Sequence, residues 1–404
     1  MDTRKKALVI TLLLLICYTY YRVVSKTISL KLDKKVEGFS LSIPDMVKNA
    51  TAPYTTKRLQ TCLSTYPKAD PQFEKIPLTY KNKYFNNRAF DLMLCDFYIA
   101  GSYKSYIPCG YTRDTQAYDA IKRAIQMGAR ILDLDLYSNN SLENPEIEIR
   151  VETPLNNKYA TPLEFNKVCN LISREAWKGN NYPLILMFNM NFNNKYLYQK
   201  MAKQLLESFR DRLIHQKYGF KRYNMGQVPI KEMIGRVIII LNKYPNDGLL
   251  DELTNEAASD KHQYLKRMEY TDANINYGGI NATETDGMYT INYNKFNLTF
   301  VHHNPEHSYE NVINLKHDIN NIDASDPRKY GMHSVLMYYN KDDNNMRNYL
   351  DYFKTCSFVV KPDNLRHIPK PKKPIKKQDT RLSYAPKSTT VAGIGGVPWL
   401  VFNH

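Results

Sequence analysis

Short runs rich in Val, Ile and Leu, separated by amphipathic stretches, constrain this chain more than any other feature. They lie at Leu92–Ala100, Ala129–Leu136, Ile147–Val151, Leu184–Met190, Val237–Leu241 and Ser334–Tyr339. Val, Ile and Leu dominate them, as expected for parallel strands covered on both faces. Between them, Asp114–Met127 and Asn194–Leu213 carry helical spacing; in the second, Leu197, Met201, Leu205 and Phe209 share one face. Repeated strand–helix alternation predicts an α/β fold, either a barrel or a doubly wound sheet. Residues 244–300 are the least regular part, and strand boundaries there are not readable from pattern.

Several segments in that framework resemble the catalytic region of the eukaryotic phosphoinositide-specific phospholipases C. The first run closes on Ile99-Ala100-Gly101-Ser102-Tyr103-Lys104-Ser105-Tyr106, where the family carries a pattern like SSHNTY. Ala124 to Tyr137, with Gly128, Arg130, Asp133 and Asp135, follows the family's A-L-x-x-G-x-R-x-x-E-x-D-x-W. The H-G-x-T box falls on Arg150-Val151-Glu152-Thr153, and Y-P-V-I-L-S-L-E-N-H on Tyr182 to Asn191. Pro229 to Lys243 is similar to the end of the family's X region. Gly331 to Met337 and Phe358 to Arg366 are similar to its Y region. The matches span residues 90–367 in the family's order. The resemblance implies a distorted (β/α)8 TIM-like barrel, with an X-like half at 90–243, a junction and start of the second half at 244–300, and a Y-like half at 301–367.

The scaffold letters of these boxes are kept while the chemical letters change. The family's reaction needs a base and an acid at the phosphodiester and positive charge on its oxygens. No histidine precedes His215, and the family's two catalytic histidines fall on Tyr103 and Arg150. A phenol with pKa of about 10 and a guanidinium above about 12 are poor substitutes near neutrality. Calcium wants several carboxylate oxygens, but the family's four ligand positions read Lys104, Asp133, Asp135 and Asn189. Ile240 and Asn242 stand where the family has paired lysines, and its phosphate clamp is not recognisable in His307 to Asn311. No intact catalytic set is expected. No cofactor is expected either, with weak calcium binding left as the alternative. An internal ion cluster of Lys104, Asp133, Asp135 and Arg150 is expected instead, the lysine ammonium sitting where calcium would.

The N-terminus predicts a membrane segment. Arg4-Lys5-Lys6 precede an apolar run from Ala7 to Tyr21, reaching Val24 if Arg22 turns to the interface. That is short for a bilayer span, and a cleaved signal peptide competes with an uncleaved anchor. Tyr18, Tyr20 and Tyr21 favour the anchor, and the basic flank would stay cytoplasmic. Residues 26–89 then read as a stalk and lead-in, on the far side with the rest. Sequons at Asn49, Asn139, Asn281 and Asn297 support this weakly, since Asn is abundant. Five cysteines outside the anchor allow at most two disulfides, and free core thiols are the plain reading for Cys95 and Cys169. From His367 to Lys377, prolines and lysines predict an extended linker. It leads into an apolar, glycine-rich tail, Val391 to Phe402, that is too short to span a membrane.

The net charge of +16 favours anionic partners. No zinc-finger, base-reading or RNA-binding pattern accompanies it, so nucleic acid is unsupported. The expected partners are a membrane through the N-terminal helix, anionic lipid, or other protein subunits. Abundant Lys, Asn, Ile and Tyr fit an A+T-rich genome such as that of a large DNA virus. Two functions follow. One is a membrane-anchored pseudoenzyme serving as a structural or interaction module, for instance within a virion. The other is a working phosphodiesterase with non-standard residues acting on a phospholipid.

Overall fold

The computed structural model describes residues 92–108, 116–139, 141–150, 162–219, 223–257, 264–271, 274–275, 284–303, 320–368, 388–391 and 400–403. The proposed anchor and stalk lie outside these residues, as do Cys62, Cys109, Asn49, Asn281, His307 to Asn311 and most of the proline–lysine linker. Contacts divide the chain into two units, Met1–His367 and Ile368–His404.

In the first unit the strands are β1 (Phe97–Ile99), β2 (Gly101–Ser102), β3 (Ile131–Ser138), β4 (Ile147–Ile149), β5 (Leu163–Glu164), β6 (Leu184–Met190) and β7 (Val237–Leu241). They continue with β8 (Glu256–Ala257), β9 (Leu265–Thr271), β10 (Asn274–Ile275), β11 (Leu298–His303), β12 (Ser334–Met337) and β13 (Phe358–Val360). Helices α1 (Tyr118–Gln126), α2 (Phe165–Glu175), α3 (Lys195–Phe209), α4 (Gly248–Leu253), α5 (Glu284–Asn294), α6 (Ser325–Lys329) and α7 (Asn344–Tyr352) lie between or after them.

Eight strands pair in parallel in the order β9, β11, β12, β2, β3, β6, β7, β8. Because β12 pairs with β2, the last strand closes on the first, leaving one seam, between β8 and β9. This is a nearly closed TIM-type barrel. Its core is continuous, from Ile131 and Leu134 through Leu184, Phe188 and Ile239 to Phe300 and Val335. Burial of this size is what a chain of this length can sustain. Close approach at the closing strand explains Gly101. A Cβ there would lie 2.5 Å from both Leu336 Cδ2 and Ser334 Oγ. At the opposite end from the site, β1 pairs antiparallel with β13, and Phe97 meets Phe358 edge to face.

Several expected boundaries change. The run Leu92–Ala100 is not one strand: Leu94–Asp96 is a helical turn, β1 belongs to the small antiparallel sheet, and only Gly101–Ser102 enters the barrel. The helix expected over Asn194–Leu213, α3, stops at Phe209, because Arg210 adopts a positive φ of 36°. The largest difference lies at 244–300, which holds β8, β9 and the start of β11, three of the eight barrel strands. Its pattern hides them because β9 reads Leu-Lys-Arg-Met-Glu-Tyr-Thr, with charges on the face that enters the barrel.

In the second unit, Ser388–Val391 and Leu400–Asn403 form an antiparallel pair, with Val391 opposite Leu400.

Candidate functional site

The polar centre of the barrel is built from β2, β3, β6 and β9. Asp133 and Asp135 lie two apart on β3, so their side chains point the same way. Register places Asp133 opposite Met187 and Asp135 opposite Asn189 on β6. Both acids sit within β3 rather than at its end, since the strand continues to Ser138, where it pairs with β4.

After β2 the backbone turns sharply at Lys104, whose φ of 39° is unusual for a residue with a Cβ. That conformation aims the Lys104 amide at Asp133 Oδ2, 3.3 Å away. The turn is pinned by the Ser105 amide on the Asp133 carbonyl at 3.0 Å and by the Asp133 amide on Ser105 Oγ at 3.2 Å. The Lys104 ammonium stands 3.7 Å from Asp135 Oδ2. Tyr106 donates its hydroxyl to the same oxygen at 2.6 Å.

From β6, the Asn189 amide nitrogen donates to Asp133 Oδ1 at 2.9 Å and to Asp135 Oδ1 at 2.6 Å. From β9, Arg267 places Nη2 3.1 Å from Asp133 Oδ1, and its Nη1 donates to Asn189 Oδ1. All four carboxylate oxygens therefore already face a protein donor. Two acids and two cations balance to zero formal charge.

The electrostatics follow from depth. Asp133 is fully buried, which pushes its carboxyl above the ordinary range, while Arg267 pulls it back. Burial would lower the Arg267 guanidinium, but Asp133 and then Tyr103 outweigh it and raise it above its ordinary value. Burial also raises the Tyr103 phenol, so at neutral pH it is a protonated, packed ring rather than a base. Its ring centroid lies 5.2 Å from those of His302 and Tyr338. Tyr106 is likewise held well above its ordinary range by burial and by Asp135.

Lys104, Asp133, Asp135 and Asn189 thus meet in one cluster. Arg150 does not join it: its guanidinium stacks 4.3 Å over Tyr137, with Glu148 Oε2 3.9 Å from Nε. The reason is topological, since Arg150 directly follows the antiparallel strand β4, outside the ring of parallel strands. The guanidinium in the cluster is Arg267, which sequence reasoning missed. Asn242 accepts from the Met190 amide at 2.9 Å, and Ile240 is buried, so both act in packing.

His302 is a second residue the motifs did not reveal. It lies in register with Glu269, and Arg267 lies in register with Phe300. Its Nδ1 is 2.8 Å from the Met268 carbonyl. A carbonyl only accepts, so Nδ1 carries a proton. An imidazole therefore stands beside Tyr103, delivered by β11.

Calcium does not fit these residues as they stand. A hard cation needs oxygens, yet Asn189 turns its NH2 to both acids and its carbonyl oxygen to Arg267. Among the described residues no group of three His, Cys, Asp or Glu side chains is arranged to hold a metal ion.

The class defined by this barrel and its motifs is the catalytic barrel of the phosphoinositide-specific phospholipases C, which this chain resembles. More particularly, residues 90–244 match the family model described as phosphatidylinositol-specific phospholipase C, X domain. Phosphoinositide phospholipase C 1 of Arabidopsis thaliana is 21% identical over 175 residues, 43% of this chain and 29% of that protein. Among solved structures, PLC21 of L. pealei superposes with a TM-score of 0.56 at 17% identity, covering 69% of this chain and 38% of that one. PLC21 of S. officinalis does so with a TM-score of 0.56 at 15% identity, covering 74% and 40%. The chain spans less than half the length of these relatives. At such identities the structural likeness shows the fold alone.

Proposed function

We propose that this chain is a phospholipase C-like barrel that has left the family's calcium-dependent reaction and serves as a membrane-tethered structural or interaction module. The observation that carries this reading is the saturation of Asp133 and Asp135 by Arg267, Lys104, Asn189 and Tyr106. A cluster satisfied by the protein's own donors, the Lys104 amide among them, has no need of calcium, and neither Tyr103 nor Arg150 offers a base at the family's histidine positions. The tether is the apolar run Ala7 to Tyr21, and the basic flank Arg4-Lys5-Lys6 favours a body on the lumenal, extracellular or virion side. Among the described residues no helix is long and apolar enough to cross a membrane, so this part rests on sequence. The partners this reading takes are anionic lipid or other protein subunits. The test is release of inositol phosphate from phosphatidylinositol vesicles by the purified full chain, with calcium and with chelator. No release in either condition is expected; calcium-dependent release overturns the reading.

A second reading, a phosphodiesterase with its own residues, has His302 in its favour. It requires turnover that persists with chelator and disappears in His302→Gln.

A further inference from the structure

The cluster joins parts of the barrel that no hydrogen-bonded ladder joins. The parallel sheet ends at β8 on one side of the seam, while β9 flanks the other. Arg267 projects from β9 and meets Asp133 on β3 and Asn189 on β6. In sheet order three strands, β11, β12 and β2, separate β9 from β3 along the wall, so the contact crosses the lumen. The positions corresponding to the family's calcium ligands, Lys104, Asp133, Asp135 and Asn189, all lie between β2 and β6. A cation held by them alone would bind the first half of the barrel to itself. A guanidinium supplied by β9 binds the second half to the first.

We propose that Arg267 is a built-in substitute for the divalent cation and, because of where it originates, a tie that holds the seam-flanking strand β9 to the opposite wall. Lys104 supplies the second positive charge, on Asp135. Together they neutralise two acids that would otherwise repel each other in a dry interior. The planar fork of arginine suits this place better than lysine would, since it serves a carboxylate and a carboxamide at once. The inference concerns the same site as the proposed function, but its test reads ion binding and local opening rather than turnover, so the two fail separately.

The experiment uses the full chain in detergent, with hydrogen exchange followed by mass spectrometry and calorimetric titration with calcium chloride. In Arg267→Met, exchange across 265–271 and 131–138 should rise roughly tenfold, while α3 keeps its protection. Arg267→Lys should fall between it and the unmodified protein. Unchanged exchange in β9 overturns the tie. If Arg267→Met does not fold, Arg267→Met/Asp133→Asn decides: removing both charges should restore folding, because no uncompensated acid remains. A double variant as unfolded as the single one overturns the proposal. In the titration, the unmodified protein should give no saturable heat at millimolar calcium, and Lys104→Asn/Arg267→Met should give it. Binding by the unmodified protein, or none by that double variant, overturns the substitution of protein cations for the metal.

Discussion

Lys361 Nζ lies 2.7 Å from His333 Nε2, and both side chains are fully buried at the end of the barrel away from the ion cluster. The Thr299 amide donates to His333 Nδ1 at 3.0 Å, so the neutral ring must carry its proton on Nε2. A protonated lysine has no lone pair to accept that proton. The contact therefore fits a neutral Lys361 amine, which also donates to the Asn294 carbonyl at 3.3 Å.

Burial pushes Lys361 down to about 7 from an ordinary 10.5, and burial and then Lys361 hold His333 well below its usual range. For the lysine, the unfolded chain binds more protons than the folded one between those two values, so stability rises with pH across that window. Lys361→Met should weaken this rise while leaving the Cys95 carbonyl, 3.1 Å from Nε2, to accept the imidazole proton. Thermal melts between about pH 7 and pH 9 check it: parallel Tm–pH lines for the two proteins would show that Lys361 is charged in the fold.

Glu256 on β8 has the opposite sign. It is fully buried opposite Ile240, and burial raises its carboxyl to about 8 from 4.5. The folded state then holds a proton that the unfolded state has released, so this group lowers stability as pH rises from 4.5 towards 8. Glu256→Gln should match the unmodified protein at the acid end and exceed its Tm increasingly up to that upper value. A constant difference across the range would refute the assignment.

The two candidate arginines should separate sharply. Removing Arg267 leaves Asp133 buried with its cation gone, a change that costs about 3–5 kcal/mol. Arg150 contributes an exposed-edge stack on Tyr137 and a long contact to Glu148, so Arg150→Ala should cost about 1 kcal/mol or less. Denaturant unfolding of Arg150→Ala and Arg267→Ala compares them directly, and equal costs would contradict the geometry.

Gly101 offers a test of barrel closure. Leu336 and Ser334 each have a side-chain atom 2.5 Å from where an alanine methyl would sit, so Gly101→Ala must push β2 away from β12. Overpacking of this kind costs about 1–3 kcal/mol. A melt unchanged from the unmodified protein would mean that β2 and β12 do not meet as closely as described.

How much of this was legible differs by residue. Leu184–Met190 and Val237–Leu241 are strands with the very bounds their apolar letters suggest, because both faces are covered and every position is hydrophobic or nearly so. Arg130 shows why scaffold letters persist: it is buried, donates to the Ala176 carbonyl at 2.6 Å and lies over Tyr182. Such a residue is demanded by the fold whatever the mouth does. The approach of Lys104 to Asp135 could also be anticipated, since a motif fixes their strands and spacing.

Local sequence determined the parallel strands β3, β6 and β7, the motif order that predicts a barrel, and the gathering of Lys104, Asp133, Asp135 and Asn189, whereas the run Ile147–Val151, expected as a parallel strand, forms the antiparallel β4. Tertiary structure alone decided that Arg267, not Arg150, completes the cluster, and that His302 stands beside Tyr103. Periodic apolarity reports burial in a hydrophobic core, but the lumen near Asp133 is an ion cluster. The inward face of β9 is therefore polar, with Arg267 directed inward, and it reads like a surface loop. Which cation meets Asp133 is set by closure of the sheet on itself, a relation between residues more than a hundred positions apart that no local pattern carries.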